Sequence, residues 1–261
     1  MQALVDVGNT RIKWAWFDGG VLGALQAAVH SGWTRHDVTD HVLQSAVRPE
    51  RVLISNVSGE RMGEPIREAV MNRWNFAPEF IKTTASAGGV RNAYPIPEQH
   101  GVDRWLGIIA AHASYPGLVC VANVGTAMTI DAVDAAGQHL GGLIAPGPDL
   151  MIGSLLRNTS DIALHAQRRD PDAGSVRGAS QAQGLFADNT LEGVRLGAVH
   201  SLAALIDRSV QSLRSSHQET PTLLLSGGAS ERVAGCLLSS FITVPDLVLR
   251  GLVVLASAPR V

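Results

Sequence analysis

The chain has 261 residues, 46% of them hydrophobic and 17% charged, with a formal net charge of -2. That composition gives ample material for a buried core and excludes a disordered chain; the charge balance, with Arg168-Arg169 the only adjacent basic pair, excludes a basic nucleic-acid binder. Asp6 and Arg11 interrupt the apolar region that a signal peptide would need, Arg250 breaks the C-terminal apolar run, and Cys120 and Cys236 lack CxxC spacing and read as buried free thiols. The expectation is a cytoplasmic protein with no membrane and no nucleic-acid partner.

The first element, Ala3 to Phe17 (ALVDVGNTRIKWAWF), reads as a β-hairpin: one apolar run brings Asp6 to a Gly8-Asn9-Thr10 turn, and a second carries Lys13 away. Gly8 permits backbone angles closed to other residues and close approach of a ligand, while Asn9 and Thr10 add donors beside the turn amides. Such donors suit phosphate oxygens. Asp6 would repel a bare polyphosphate, so it makes sense mainly if a divalent cation accompanies a nucleotide. An ordinary Asn/Gly hairpin turn accounts for the same residues.

Gly19-Gly20 leads into a third strand, Val21 to Val29, followed by a helix from Thr34 to Ser45, a strand from Arg51 to Val57, a helix from Gly63 to Trp74 and a strand from Phe80 to Thr83. The alternation is the α/β signature. Residues 85–101, rich in Gly and Pro, are too long for a mere connector and read as a binding loop. Asp103 then opens a very apolar helix, Trp105 to Ser114, expected to run beneath a cleft.

Leu118 to Val133 (LVCVANVGTAMTIDAV) repeats the grammar of the first hairpin, with Asn123, a Gly125-Thr126 turn and Asp131 closing the second strand. A strand from His139 to Ile144, a Gly/Pro turn ending at Gly147, a helix around Met151 to Arg157, a mobile surface segment from His165 to Gly184 and a long helix from Thr190 to Leu213 follow. Thr222 to Ser226 is a strand ending in Gly227-Gly228, Ser230 caps the next helix, and Val244 to Ala256 is a last strand or helix. Two such hairpins point to a duplicated α/β fold with two phosphate-gripping turns facing each other across a cleft, the chain halving near residue 116. The pattern resembles the actin, Hsp70 and sugar-kinase superfamily, and that resemblance implies two ribonuclease-H-like lobes, residues 1–115 and 116–261, around a central nucleotide cleft.

The chemistry centres on Gly101-Val102-Asp103-Arg104. An Asp at a helix mouth serves as an N-cap; the same placement keeps an ionised carboxylate rigid, fit to position a hydroxyl for attack on a phosphoryl group. Arg104 is permanently cationic and suits either an anionic substrate or a surface ion pair. The nine histidines lack metal-ligand spacing and read as surface or packed residues. No GxSxG, Walker lysine, GxGxxG or HExxH motif is present.

DVGNT at 6–10 with Lys13, Tyr94-Pro95 before GVDR at 101–104, NVGTAMTID at 123–131 and GGLIAPG at 141–147 stand in the order and spacing of type III pantothenate kinases, which the chain resembles from about residue 3 to Gly228. The Bvg accessory factor proteins are close relatives. The resemblance implies ATP-dependent phosphorylation of pantothenate to 4'-phosphopantothenate, the first step of coenzyme A synthesis. It places the ATP phosphates on Asp6, Val7, Gly8, Asn9, Thr10, Arg11, Ile12 and Lys13, with Thr126 reaching them from the other lobe, and magnesium on Asp6. Asp103 becomes the base, and Tyr94, Gly101, Val102, Asp103, Arg104 and Thr190 the pantothenate site; on sequence alone Thr190, in Asp-Asn-Thr at a helix start, reads first as an N-cap, and Gly227-Gly228 as an ordinary turn or an adenosine-side one. A homodimer is implied. Asn123 stands where many relatives carry an acidic ligand for potassium or ammonium, so weak binding of the monovalent cation is expected. The alternatives are a non-catalytic regulatory protein on the same fold and another small-molecule kinase of the superfamily.

Overall fold

The computed structural model describes residues 1–167 and 185–258. The first sheet contains β1 (Gln2–Val7), β2 (Arg11–Asp18), β3 (Val21–Leu22), β4 (Gln26–Val29), β5 (Arg51–Asn56) and β6 (Glu79–Phe80), in the order β3-β2-β1-β5-β6 with β4 also on β2. β1 pairs antiparallel with β2 and parallel with β5. The helices α1 (Arg35–His41) and α2 (Glu60–Trp74) precede and follow β5, a small hairpin β7 (Ser86–Ala87) and β8 (Val90–Arg91) interrupts the long loop, and α3 (Val102–Ser114) ends the half. The second sheet contains β9 (Val119–Val124), β10 (Ala127–Val133), β11 (His139–Pro146), β12 (Thr222–Ser226) and β13 (Phe241–Thr243), in the order β11-β10-β9-β12-β13. The helices of this half of the chain are α4 (Pro148–Asn158), α5 (Ser160–Gln167), α6 (Thr190–His217), α7 (Ser230–Ala234) and, last in sequence, α8 (Leu247–Ser257). The second order repeats the first strand for strand, with a helix closing each set.

The chain forms two compact units, Met1–Val119 with Asp131–Gly141 and Asp246–Val261, and Cys120–Ile130 with Gly142–Pro245. A cut at 115/116 assigns α8 to the second lobe, whereas α8 packs in the first unit. The reason is its apolar face: Leu249, Leu252 and Ala256 join Leu4, Phe17, Leu53 and Leu106 in one cluster. A Cβ on Gly251 would lie 2.2 Å from the Leu106 carbonyl oxygen, so only glycine lets α8 approach α3 this closely.

Alternation along β1 decides what its face offers. Ala3, Val5 and Val7 pack under Val38 of α1 and Ile66 and Val70 of α2, whereas Leu4 faces α3 and α8. Asp6 follows Leu4 by two and shares its face. In the second unit Cys120, Ala122 and Val124 pack on Leu202, Ala203, Ile206 and Val210 of α6, leaving Asn123 on the opposite face, half-buried.

Several boundaries differ from the sequence reading. Gly23 breaks the expected third strand into β3 and β4, its amide bonding back to the Trp16 carbonyl. α2 starts at Glu60, after Gly59 with φ +66°. Residues 165–167 are helical in α5, and the rest of the expected surface segment, 168–184, lies outside the described residues. The N-cap of α7 is Ala229, with Ser230 donating from Oγ to the Gly227 carbonyl at 2.8 Å. No helix among the described residues is long and apolar enough to cross a membrane.

Candidate active site

In the first unit, the hairpin tip is tied by the Gly8 amide donating to the Arg11 carbonyl at 2.9 Å. Gly8 has no positive φ, so what the position requires is space: a Cβ would meet that carbonyl at 3.2 Å. His30, buried to 1% exposure, donates from Nε2 to the Gly8 carbonyl at 2.7 Å, and the His30 amide bonds to the Thr10 carbonyl. Arg61, at the start of α2, donates to the Asn9 carbonyl at 3.0 Å. The tip of residues 8–11 is thus fixed through its backbone carbonyls. The histidine was invisible in the sequence because nothing in its spacing marks a partner 22 residues away.

Asp6 stands at the end of β1, buried, and its Oδ1 has no hydrogen-bond partner among the described residues. Burial, reinforced by the Asp103 carboxylate and offset by Lys13, pushes its pKa from 3.8 up to about 6. An orphaned, buried carboxylate oxygen is costly unless a ligand completes it, and a cation is the ligand its charge fits.

Asp103 is the second residue of α3. The N-cap is Gly101, which has no side chain to cap with, so Asp103 does not take that role. Its Oδ1 accepts the Arg104 amide at 2.8 Å, and a Cβ on Gly101 would lie 2.9 Å from the same oxygen. Gly101 therefore makes room for the carboxylate. Burial raises the Asp103 pKa despite the Arg104 amide and guanidinium, the reverse of what an exposed helix-mouth carboxylate would show.

Arg104 is neither exposed nor on a surface ion pair. It is 7% exposed and grips Asp131 with two bonds, Nε to Oδ2 at 2.8 Å and Nη2 to Oδ1 at 2.6 Å, while Nη1 donates to the Tyr94 hydroxyl at 3.1 Å. His139 donates from Nε2 to Asp131 Oδ1 at 3.2 Å, and its Nδ1 accepts the Ala93 amide at 3.3 Å. His100 stacks on both the Tyr94 and the His139 rings, 4.7 and 4.8 Å from their centroids and nearly parallel to each, while those two rings are parallel with centroids 6.1 Å apart. Burial lowers the His100 pKa to about 4, so it is neutral at physiological pH. Burial alone would raise Asp131, but the bonds from His139 and Arg104 outweigh it and hold its pKa below the usual carboxylate value. Tyr94 and Gly101 to Arg104 thus come together in the first unit with Asp131, His100 and His139. Only Asp131 left a trace in the sequence, as the acid closing the second hairpin.

Thr126 and Thr190 belong to the second unit. The tip carrying Thr126 is pressed by two glycines: a Cβ on Gly147 would lie 2.1 Å from the Gly125 carbonyl oxygen, and one on Gly227, with φ +99°, 2.2 Å from that of Val124. Thr190 is the first residue of α6, and Asn189 is the N-cap, its Oδ1 accepting the Glu192 amide at 3.0 Å. Thr190 lines an open groove of about 360 Å³ with Met151, Leu155, Gly193 and Gly197.

Residues 3–212 match the type III pantothenate kinase family. The type III pantothenate kinase of Nitrosococcus oceani is 33% identical over 257 residues, covering 97% of this chain and 92% of that protein. Among solved structures, a Baf family protein from Campylobacter jejuni superposes with a TM-score of 0.54 at 19% identity, covering 96% of this chain and 94% of that one. Component A of the (R)-2-hydroxyglutaryl-CoA dehydratase of Acidaminococcus fermentans gives a TM-score of 0.53 at 12% identity, covering 97% and 95%. These last two are likenesses of fold, the α/β fold of the actin-like ATPases. With motif order, strand order and near full-length identity in agreement, the chain belongs to the type III pantothenate kinase family.

Proposed function

We propose that the protein transfers the γ-phosphoryl group of ATP to the primary hydroxyl of pantothenate, forming 4'-phosphopantothenate for coenzyme A synthesis in the cytoplasm. The observation that carries this reading is a pair of electrostatically coupled carboxylates in the first unit, Asp6 buried with an orphaned oxygen and Asp103 half-buried with a raised pKa. Asp6 supplies the oxygen for magnesium, which when bound neutralises phosphate charge. The donors of Gly8 to Lys13, together with Thr126, hold the phosphates. Asp103, a stronger base for being desolvated, takes the proton of the attacking hydroxyl. Tyr94, Gly101, Val102, Arg104 and Thr190 bind pantothenate. Asn123 offers an amide oxygen without charge, so a potassium or ammonium ion binds weakly there.

The reading includes a homodimer built on the second unit. Edge strand β11 leaves Leu143 and Ile144 at 47% and 66% exposure, and α4 leaves Leu150 and Leu155 at 42%. Gly193 and Gly197 have open space where a Cβ would stand, giving α6 a surface another helix can approach closely. A second copy is the occupant of that face, and sedimentation equilibrium reads the mass.

The activity test is ADP release from magnesium-ATP with a panel of hydroxyl acceptors. Release with pantothenate and no other acceptor is expected. Release with a sugar instead, or with nothing, overturns the assignment.

A further inference from the structure

The Arg104 cluster contains more than a binding arginine needs. A guanidinium has five N–H groups. Here Asp131 takes those on Nε and Nη2 in a bidentate clamp, and Tyr94 takes one on Nη1. One N–H remains on each terminal nitrogen, and the Tyr94 hydroxyl, having accepted from Arg104, keeps its own proton to donate. The clamp is fixed from behind. The Ala93 amide occupies His139 Nδ1, which leaves Nε2 as the protonated nitrogen and aims it at Asp131. The same loop is tied again where the Arg91 amide bonds to the Gly137 carbonyl at 2.8 Å, and there a Cβ on Gly137 would lie 2.1 Å from the Gly89 carbonyl oxygen. The Tyr94, His100 and His139 rings form one slab. Arg104 and Asp131 are buried and cancel in charge, so the cluster has no net charge with which to attract an anion. What it offers is direction.

We propose that Asp131 is a positioning residue for the acceptor substrate: by clamping Arg104, with His139 holding Asp131 in turn, it directs the free Arg104 N–H groups and the Tyr94 hydroxyl at an oxygen acceptor of pantothenate. This rests on the reading of Arg104 and Tyr94 as pantothenate ligands. Asp131 touches neither ATP nor the hydroxyl that reacts, so its loss acts on acceptor binding.

The experiment is steady-state kinetics of the full chain with both substrates varied, for Asp131→Asn, His139→Leu, Arg104→Met and the double variant Asp131→Asn with Arg104→Met. Asp131→Asn is expected to raise the pantothenate KM by about 10- to 100-fold, the scale of a charge-assisted hydrogen bond, with the ATP KM within about twofold of the parent. His139→Leu, which removes one neutral donor, is expected to raise it by about fivefold. In the Arg104→Met background, Asp131→Asn should add almost nothing, because its effect passes through the arginine. If Arg104→Met leaves the pantothenate KM unchanged, the reading of Arg104 as a ligand fails, and the positioning role with it. If Arg104→Met raises that KM and Asp131→Asn does not, or if Asp131→Asn shifts both KM values alike, the positioning role alone is overturned. Should Asp131→Asn not fold, His139→Leu decides by the same criteria.

Discussion

Replacing Asp6 by asparagine should make the ligand-free protein more stable at neutral pH while disabling its use of magnesium-ATP. Burial and the neighbouring Asp103 raise the Asp6 pKa from 3.8 to about 6, so the folded chain binds that proton more tightly than the unfolded chain. By linkage, the stabilising contribution of this group is complete below the unfolded value, is lost as pH rises through the folded value, and stays lost above it. At about 1.36 kcal/mol for each tenfold change in proton affinity, the ionised carboxylate costs the native state about 3 kcal/mol. Asparagine cannot ionise and avoids that cost, less about 1 kcal/mol for an amide buried without a full set of partners. The net expectation is a gain of about 2 kcal/mol at about pH 8 that shrinks to nothing near pH 4 and reverses below about pH 3, where the carboxyl is protonated in both states and only the cost of the amide, about 1 kcal/mol, remains. Urea unfolding of parent and variant across that range reads it directly. Magnesium-ATP should then stabilise the parent and leave the variant almost unmoved. A variant no more stable than the parent at about pH 8 would refute the argument that the fold carries a strained charge here for a cation to relieve.

Asp103→Asn should fold normally, since an amide oxygen can still accept the Arg104 amide, and turnover should fall by roughly 10² to 10⁴ if the carboxylate is the base; near-parent turnover in a stopped assay would remove it from the mechanism. Gly227→Ala should cost ~2 kcal/mol or more, because the left-handed φ of +99° and the Val124 carbonyl both oppose a Cβ, and a denaturation midpoint equal to the parent's would contradict that packing. Initial rates against potassium chloride, with sodium chloride holding ionic strength, should show weak dependence on potassium; a steep low-concentration requirement would show that charge at position 123 is not what holds the ion.

The α/β character and most elements were legible because the chain alternates short apolar runs with helical periods. β1 and β5 are nearly continuous apolar strands, and α3 is a near-unbroken apolar helix. The lapses have local causes. The capping of α3 and α7 was assigned to Asp103 and Ser230 because those side chains can cap, whereas the chain enters each helix one or two residues earlier. The last element reads as either strand or helix because its apolar residues run almost without interruption, whereas the residues it buries, Leu249, Leu252 and Ala256, follow a helical spacing. The candidate site was legible only where one segment carries it whole, as in residues 6–13 and 101–104. Arg104 looked like an exposed cation because its partner is 27 residues away, on a strand of the other hairpin. His30, His100 and His139 have the same problem: each takes its meaning from a contact the sequence does not place nearby.

The packing of Gly251 of α8 against Leu106 of α3 also has a consequence for the order in which the protein assembles. The chain leaves the first unit near Val119, returns for Asp131 to Gly141, and comes back for good only at Asp246. The face of β1 that holds Leu4 is shared by Leu106 of α3 and is completed only when the last helix arrives, and the contact joining residues 106 and 251 closes a long loop. Such contacts form late, since the entropy of closing the loop is spent before the contact returns anything. On a ribosome the first unit would therefore begin first and finish last, with the cluster around Leu4 completed only in the final step of folding.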